Sequence, residues 1–230
     1  MDFSVIRDNL TYFLIGRYPH GPLGGLALTL LLAVVSLVLS LFGGLLLGLA
    51  SVSRRRAVRW VSLTFINAVR GLPLLMVIFW TYFLWPALLG HPTAESQTVV
   101  LSLTVFTSAY MSQIVRAGIA AVPRGQTEAA VATGLSRRQA MWRVVLPQAL
   151  RNMIPSFVNQ FVSMIKDTSL AFIVGVDELT HVATQVNNRT LVHPTEIFLF
   201  IAVLYFAICY AFTTLSRWLE RRLAWRREIS

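Results

Sequence analysis

Acidic residues are scarce in this chain. Only 10 Asp and Glu stand against 20 Lys and Arg, and charged residues make up 13% of the 230 positions. Soluble chains carry roughly a quarter charged residues, so an ordinary water-soluble domain is excluded. A single cysteine, Cys209, excludes an intramolecular disulfide framework and a multi-cysteine metal site. It lies in the apolar run FAICYAF, the setting of a buried, inert thiol. The histidines His20, His91, His181 and His193 are scattered and lack metal-ligand spacing. No GxxxxGK[ST] phosphate-binding loop occurs, so the chain is not expected to hydrolyse nucleotide itself. Disorder is excluded by hydrophobic and aromatic contents of 56% and 11%, since disordered chains are poor in both.

Long apolar stretches are what the chain has in quantity. A net charge of +10 can point to nucleic acid, but a mean hydropathy of +0.65 would make a nucleic-acid-binding domain insoluble. The composition is that of an integral membrane protein. A helix crosses the hydrocarbon core with about 20 mostly apolar residues. Five segments qualify: 25–50, 72–90, 99–121, 154–176 and 197–216. The fourth is the least apolar, and Pro155 is expected in its first helical turn. Residues 1–24 hold acids, aromatics and prolines rather than a signal-peptide pattern, so they are expected to remain as an external segment.

Orientation follows from the arginines, which concentrate in cytoplasmic loops. Fifteen of them fall after the first span, between the third and fourth, and after the fifth. The other side holds Arg7, Arg17 and Arg189. The expectation is an all-α polytopic protein with five crossings, N-terminus out and C-terminus in. Its parts are an external segment 1–24, a transmembrane domain 25–222 and a basic tail 223–230.

The loop at about 122–151 reads VPRGQTEAAVATGLSRRQAMWRVVLPQALR. Thr127–Ala132 has strong helix formers with an acid in the first turn. Gly134 supplies a turn, and Ser136 caps a second helix expected to stop at Pro147. Residue chemistry alone leaves two readings: an amphipathic interfacial loop, or a small-residue helix laid into a groove on a partner.

Glu128-Ala129-Ala130, Gly134 four residues on, and Leu146-Pro147 resemble the loop shared by permease subunits of bacterial ABC importers. Arg70-Gly71-Leu72-Pro73-Leu74 is similar to that family's Arg-Gly-Thr-Pro-Leu motif, with Leu72 in place of the usual Thr. Gln126, Leu146-Pro147-Gln148-Ala149 and Lys166-Asp167-Thr168-Ser169-Leu170 resemble the polar amino acid subfamily. Tyr18-Pro19-His20-Gly21-Pro22 and Glu178-Leu179-Thr180 are similar to glutamate/aspartate permeases. Gln113 departs from the pattern, standing where many relatives carry Glu three residues before an Arg.

The resemblance, which covers about residues 20–222, implies a multi-pass permease of the bacterial inner membrane. A second copy or a homologous permease would complete the pathway. Two separate subunits would bind and hydrolyse ATP with Mg, and an external solute-binding protein would deliver the amino acid. No cofactor on this chain is implied. Glu128, Ala129, Ala130 and Gly134 would couple the permease to the ATPase. Glutamate or aspartate is the expected cargo, with glutamine, histidine or another polar amino acid as the alternative.

Candidate pathway residues come from helical spacing. Asn152, Ser156, Asn159, Ser163 and Lys166 step by 4, 3, 4 and 3 and share one helical face. Polar groups are costly against lipid, so this stripe either lines the pathway or joins helices at a seam. Lys166 and Asp167 are neighbours that diverge by about 100° on a helix, so each needs a partner elsewhere, Arg116 being a candidate for Asp167. Thr168 and Ser169 can satisfy carbonyls of a helix interrupted there. In the third span Thr104, Ser108, Ser112 and Arg116, with Gln113 beside them, form a second candidate lining, although Arg116 also suits snorkelling to the interface. Arg116 and Lys166, with Gln113 instead of an acid, favour an anionic substrate over a cationic one. An intramembrane enzyme is disfavoured because Lys166-Asp167 lacks a nucleophile-and-base arrangement. A passive channel has no use for the Glu128–Gly134 loop.

Overall fold

The computed structural model describes residues 3–225, with side chains described as far as Trp218. The tail expected at 223–230 lies, beyond Trp225, outside the described residues. The described chain is helical and contains no strand, only two isolated bridges, Gly16 to Leu23 and Gly25 to Glu178. Short helices α1 (Ser4–Asp8) and α2 (Leu10–Ile15) precede α3 (Gly25–Ser51), α4 (Arg56–Arg70), α5 (Leu74–Leu89) and α6 (Glu95–Ala120). A hairpin of α7 (Arg124–Ala132) and α8 (Arg137–Ala140) follows. A π turn at Met141–Val145 leads into α9 (Leu146–Asp167), continued by a 3-10 segment (Thr168–Val174). Helices α10 (Leu179–Thr190) and α11 (Pro194–Trp225) complete the chain.

Three helices, α3, α6 and α11, are long and apolar enough to cross a membrane. The pair α4 and α5 adds a fourth candidate if treated as one span, although it bends by 105° at the Gly71-Leu72-Pro73 break. The fourth expected crossing is α9, which Asn152, Asn159, Lys166 and Asp167 keep outside that group on composition. The expected start at Ile154 is corrected: Pro155 sits inside α9, which begins at Leu146. The stop expected at Pro147 is corrected too. Pro147 falls in the first turn of α9, where its missing N–H has no intrahelical partner to lose. The wider π turn before it carries the backbone through.

The central contact is α3 against α6. A stripe of Thr29, Ala33, Ser36, Ser40, Gly44 and Gly48 is buried along α3. Small residues at four-residue spacing let two backbones approach closely. A Cβ on Gly48 would stand 2.6 Å from Val115, and one on Gly44 would collide with Met111. Helix α9 packs on this pair through Met153, Met164 and Ile165, all essentially buried. At the end away from the hairpin, Phe13 of α2, Leu179 and Val182 of α10, and Ile197 and Ile201 of α11 form a separate apolar cluster. The described part of the N-terminal segment, residues 3–24, is therefore folded onto the bundle there.

Candidate functional site

The hairpin is built as its residues dictate. Gly134 adopts φ +93, a left-handed conformation that L side chains rarely adopt. Ser136 caps α8: its Oγ accepts from the Gln139 N–H at 3.3 Å, while the Ser136 N–H donates to Gln139 Oε1 at 2.8 Å. Ala130 is buried against the chain itself. The outward face consists instead of Glu128, Ala129, Val131 and Ala132, all exposed. An open groove of about 500 Å³ runs between Arg124, Glu128, Val131 and Arg137. Exposed Trp142 adds apolar surface to this end of the molecule.

The polar stripe of α9 lies on the side away from its packed residues. Ser156, Asn159 and Lys166 are exposed, and Asn152 and Ser163 are half-buried. Near the hairpin this face meets α6: a groove of about 490 Å³ is lined by Gln113, Ala117, Gly118, Asn152 and Ser156. Gly118 permits the close crossing, since a Cβ there would stand 2.5 Å from Met153. Gln113 is thus brought to Asn152 and Ser156, a juxtaposition the spacing within either helix could not reveal.

The rest of the lining expected on the third span is not assembled. Ser108 and Ser112 are buried toward α3, where Ser108 faces Gly43 and the Ser112 hydroxyl donates to the Ala109 carbonyl at 2.6 Å. Ser40 likewise donates to the backbone carbonyls of Ser36 and Thr104, at 2.6 and 3.4 Å. Arg116 is exposed, and among the described residues no ion pair joins it to Asp167. The α-helix does give way at Thr168. Thr168 Oγ1 donates to the Ile165 carbonyl at 2.7 Å and Ser169 Oγ to the Lys166 carbonyl at 2.6 Å. The 3-10 segment then ends at Gly175, with φ +82.

One carboxylate that the sequence reading passed over as a site is Glu178, which is fully buried. Its Oε1 accepts from the His181 N–H at 2.8 Å, and its Oε2 accepts from the Thr180 N–H at 2.9 Å and from the Tyr205 hydroxyl at 3.0 Å. Glu178 thereby caps α10 and ties it to α11. The bridge to Gly25 and a Leu179 N–H bond to Thr29 Oγ1 at 3.0 Å extend the clasp to α3. Burial pushes the Glu178 carboxyl up to about 7, against the opposing pull of its hydrogen bonds. An acid immediately before a helical run is the N-cap signal that could have located it.

Residues 40–225 match the family model for the binding-protein-dependent transport system inner membrane component. The chain belongs to this family. The permease is 38% identical over 214 residues to the "Probable glutamine ABC transporter permease protein GlnP" of Bacillus subtilis, covering 90% of this chain and 98% of that protein. It is 31% identical over 230 residues to the glutamate/aspartate import permease GltK of Escherichia coli O157:H7, covering 97% and 98%. Among solved structures, an amino acid ABC transporter crystallised with histidines superposes with a TM-score of 0.85 at 29% identity, covering 96% of this chain and 99% of that one. The permease is therefore of the polar amino acid ABC importer type, and its relatives differ in cargo.

Proposed function

We propose that this permease forms the membrane pathway of an ATP-driven importer of polar amino acids, with five crossings and the α7–α8 hairpin in the cytoplasm. The carrying observation is the exposed polar face of α9, continuous with the Gln113 groove on α6 and leading toward the exposed face of the hairpin. Helix α9 has 22 residues, about 33 Å of helix, enough to cross as the fourth span. Its polarity suits a helix that faces a watery pathway rather than lipid. A single chain leaves that face open, so a second copy or a homologous permease closes it. The pathway residues in this reading are Gln113, Arg116, Asn159, Ser163, Lys166, Asp167 and Ser169; Thr168 is fully buried and holds the helix break behind them. Segment 1–24 faces outward, toward an external solute-binding protein.

Two partner subunits hold ATP and Mg, and the permease supplies the hairpin they move. Closure of the ATPase pair pushes Glu128, Ala129, Ala130 and Gly134 as a rigid unit and switches the exposure of the pathway. The cargo we infer is acidic, because Arg116 and Lys166 project from exposed faces without an acid in place of Gln113. The 38% identity to a glutamine permease relative favours glutamine as the second reading.

Coupling is tested in proteoliposomes containing the whole transporter. Ala129→Trp adds bulk to the outward face without touching buried Ala130. Gly134→Pro imposes a negative φ where +93 is required. Both variants should insert normally, and binding-protein-stimulated ATP hydrolysis and uptake should fall together by at least tenfold. Normal uptake by both would remove the hairpin from the mechanism. Competition between labelled glutamate and glutamine in the unmodified transporter decides the cargo.

A further inference from the structure

Helix α4 has a face that the pathway and the hairpin leave unexplained. Ser62, Ile66 and Val69 form its buried stripe. At about 100° per residue, Val58, Val61 and Phe65 lie to one side of that stripe, and Arg56 and Arg59 lie to the other. Val58, Val61 and Phe65 are 39%, 59% and 42% exposed. Trp60, 69% exposed, stands between the two rows, opposite the stripe. Arg54 and Arg55, also exposed, extend the basic row at the N-terminal end. Such separation of apolar and basic rows, with an aromatic at the boundary, is the pattern of a helix lying in a membrane interface.

Two further observations agree. The 105° angle to α5 lays α4 close to the membrane plane wherever α5 crosses it. The arginines are also uncompensated: the sequence has no Asp or Glu between Asp8 and Glu95, and among the described residues no ion pair involves Arg54, Arg55, Arg56 or Arg59. Arg70, at the bend, is held differently, stacked 5.2 Å over the Tyr110 ring.

We propose that α4 is an in-plane anchor whose apolar row enters the acyl layer while Arg54, Arg55, Arg56 and Arg59 hold the phosphates of anionic lipids. Charge complementarity selects this occupant. A second permease copy would have to bury four arginines that bring no acid of their own, whereas an anionic leaflet supplies phosphates within reach of all four. The proposal goes beyond amino acid transport, but it rests on the reading that α5 crosses the bilayer.

The test uses the assembled transporter in nanodiscs of mixed phosphatidylglycerol and phosphatidylcholine. Native mass spectrometry reads the lipids that remain bound after release. Arg56→Gln and Arg59→Gln should each lower retained phosphatidylglycerol relative to phosphatidylcholine by about fivefold, and the quadruple Gln variant should abolish the preference. An unchanged ratio in the quadruple variant overturns the proposal. Spin labels in a Cys209→Ser background report depth. A label at Phe65→Cys should be accessible to oxygen, and one at Arg59→Cys to a water-soluble nickel reagent. Shielding of both from both reagents would mean that a protein partner covers α4, again overturning the proposal. A label at Phe83→Cys, on the exposed side of α5, separates the two readings. If Phe83 is oxygen-accessible and Phe65 is not, only the anchor fails; if Phe83 is nickel-accessible, the crossing itself fails.

Discussion

Around Glu178 the polar groups find their partners inside the chain: two backbone N–H groups and a tyrosine hydroxyl converge on one buried carboxylate. Around Gln113 and Ser156, at the hairpin end, polar side chains line an open groove. Both clusters are expensive to place in or near hydrocarbon unless they are satisfied. The first is closed by the fold and joins α3, α10 and α11. The second is left accessible on a face of α9 that no helix among the described residues covers. The difference separates polar residues closed in by the fold from polar residues that line an open groove.

That contrast is broken most severely at the clasp. Glu178→Ala strands two backbone N–H donors and leaves the Tyr205 hydroxyl only its longer contact with Thr180 Oγ1, which costs about 4 kcal/mol in total. The thermal unfolding midpoint of the detergent-solubilised complex should drop sharply. An unshifted midpoint would mean that water replaces the carboxylate without loss.

The ionisation of Glu178 gives the next largest effect. Its folded pKa of about 7 lies above the ordinary value of 4.5, so the folded state binds the proton more tightly than the unfolded one. The associated stability is complete below about pH 4.5 and is lost as pH rises through 7, amounting to about 3 kcal/mol. Midpoints measured from pH 5 to 8 should therefore decline, and Glu178→Gln should flatten the decline. A slope that survives Glu178→Gln assigns it to another group.

The groove should respond in the opposite way, with function changed and stability kept. Gln113→Glu places a negative charge in an open polar site, worth about 1 kcal/mol against a nearby anion at high effective dielectric. Glutamate and aspartate uptake should fall about fivefold with the thermal midpoint unmoved. Equal uptake by both proteins would place Gln113 away from an acidic cargo.

Much of this was legible in the residues because local chemistry governs it. The apolar runs became α3, α5, α6 and α11. Gly134 and Ser136 formed the turn and cap that their backbone and hydroxyl chemistry favour. Thr168 and Ser169 satisfied carbonyls where the helix gives way. Helix α4 was missed although its signal was present: Ser62, Ile66 and Val69 carry helical spacing, but clustered arginines read more strongly as a topology signal. Pro147 and Pro155 suggest helix boundaries, because the sequence does not show that a π turn precedes one and that α9 runs through the other.

Burial among the membrane helices could not be read locally at all. Helix α6 is the least apolar of the three evident spans, yet 56% of its spanning window is buried, against 28% for α3 and 11% for α11. In water the most apolar surface turns inward; in lipid small and polar residues gain most from facing another helix. That inversion is why Ser108 and Ser112, polar in sequence, pack toward α3. By itself the sequence determined membrane residence, the helical runs, the hairpin turn and the family, since each depends on composition or on neighbours a few positions apart. Only the tertiary structure decided that Ala130 faces inward, that Gln113 meets Asn152 and that Glu178 is buried, because those facts depend on which helix packs across from each residue.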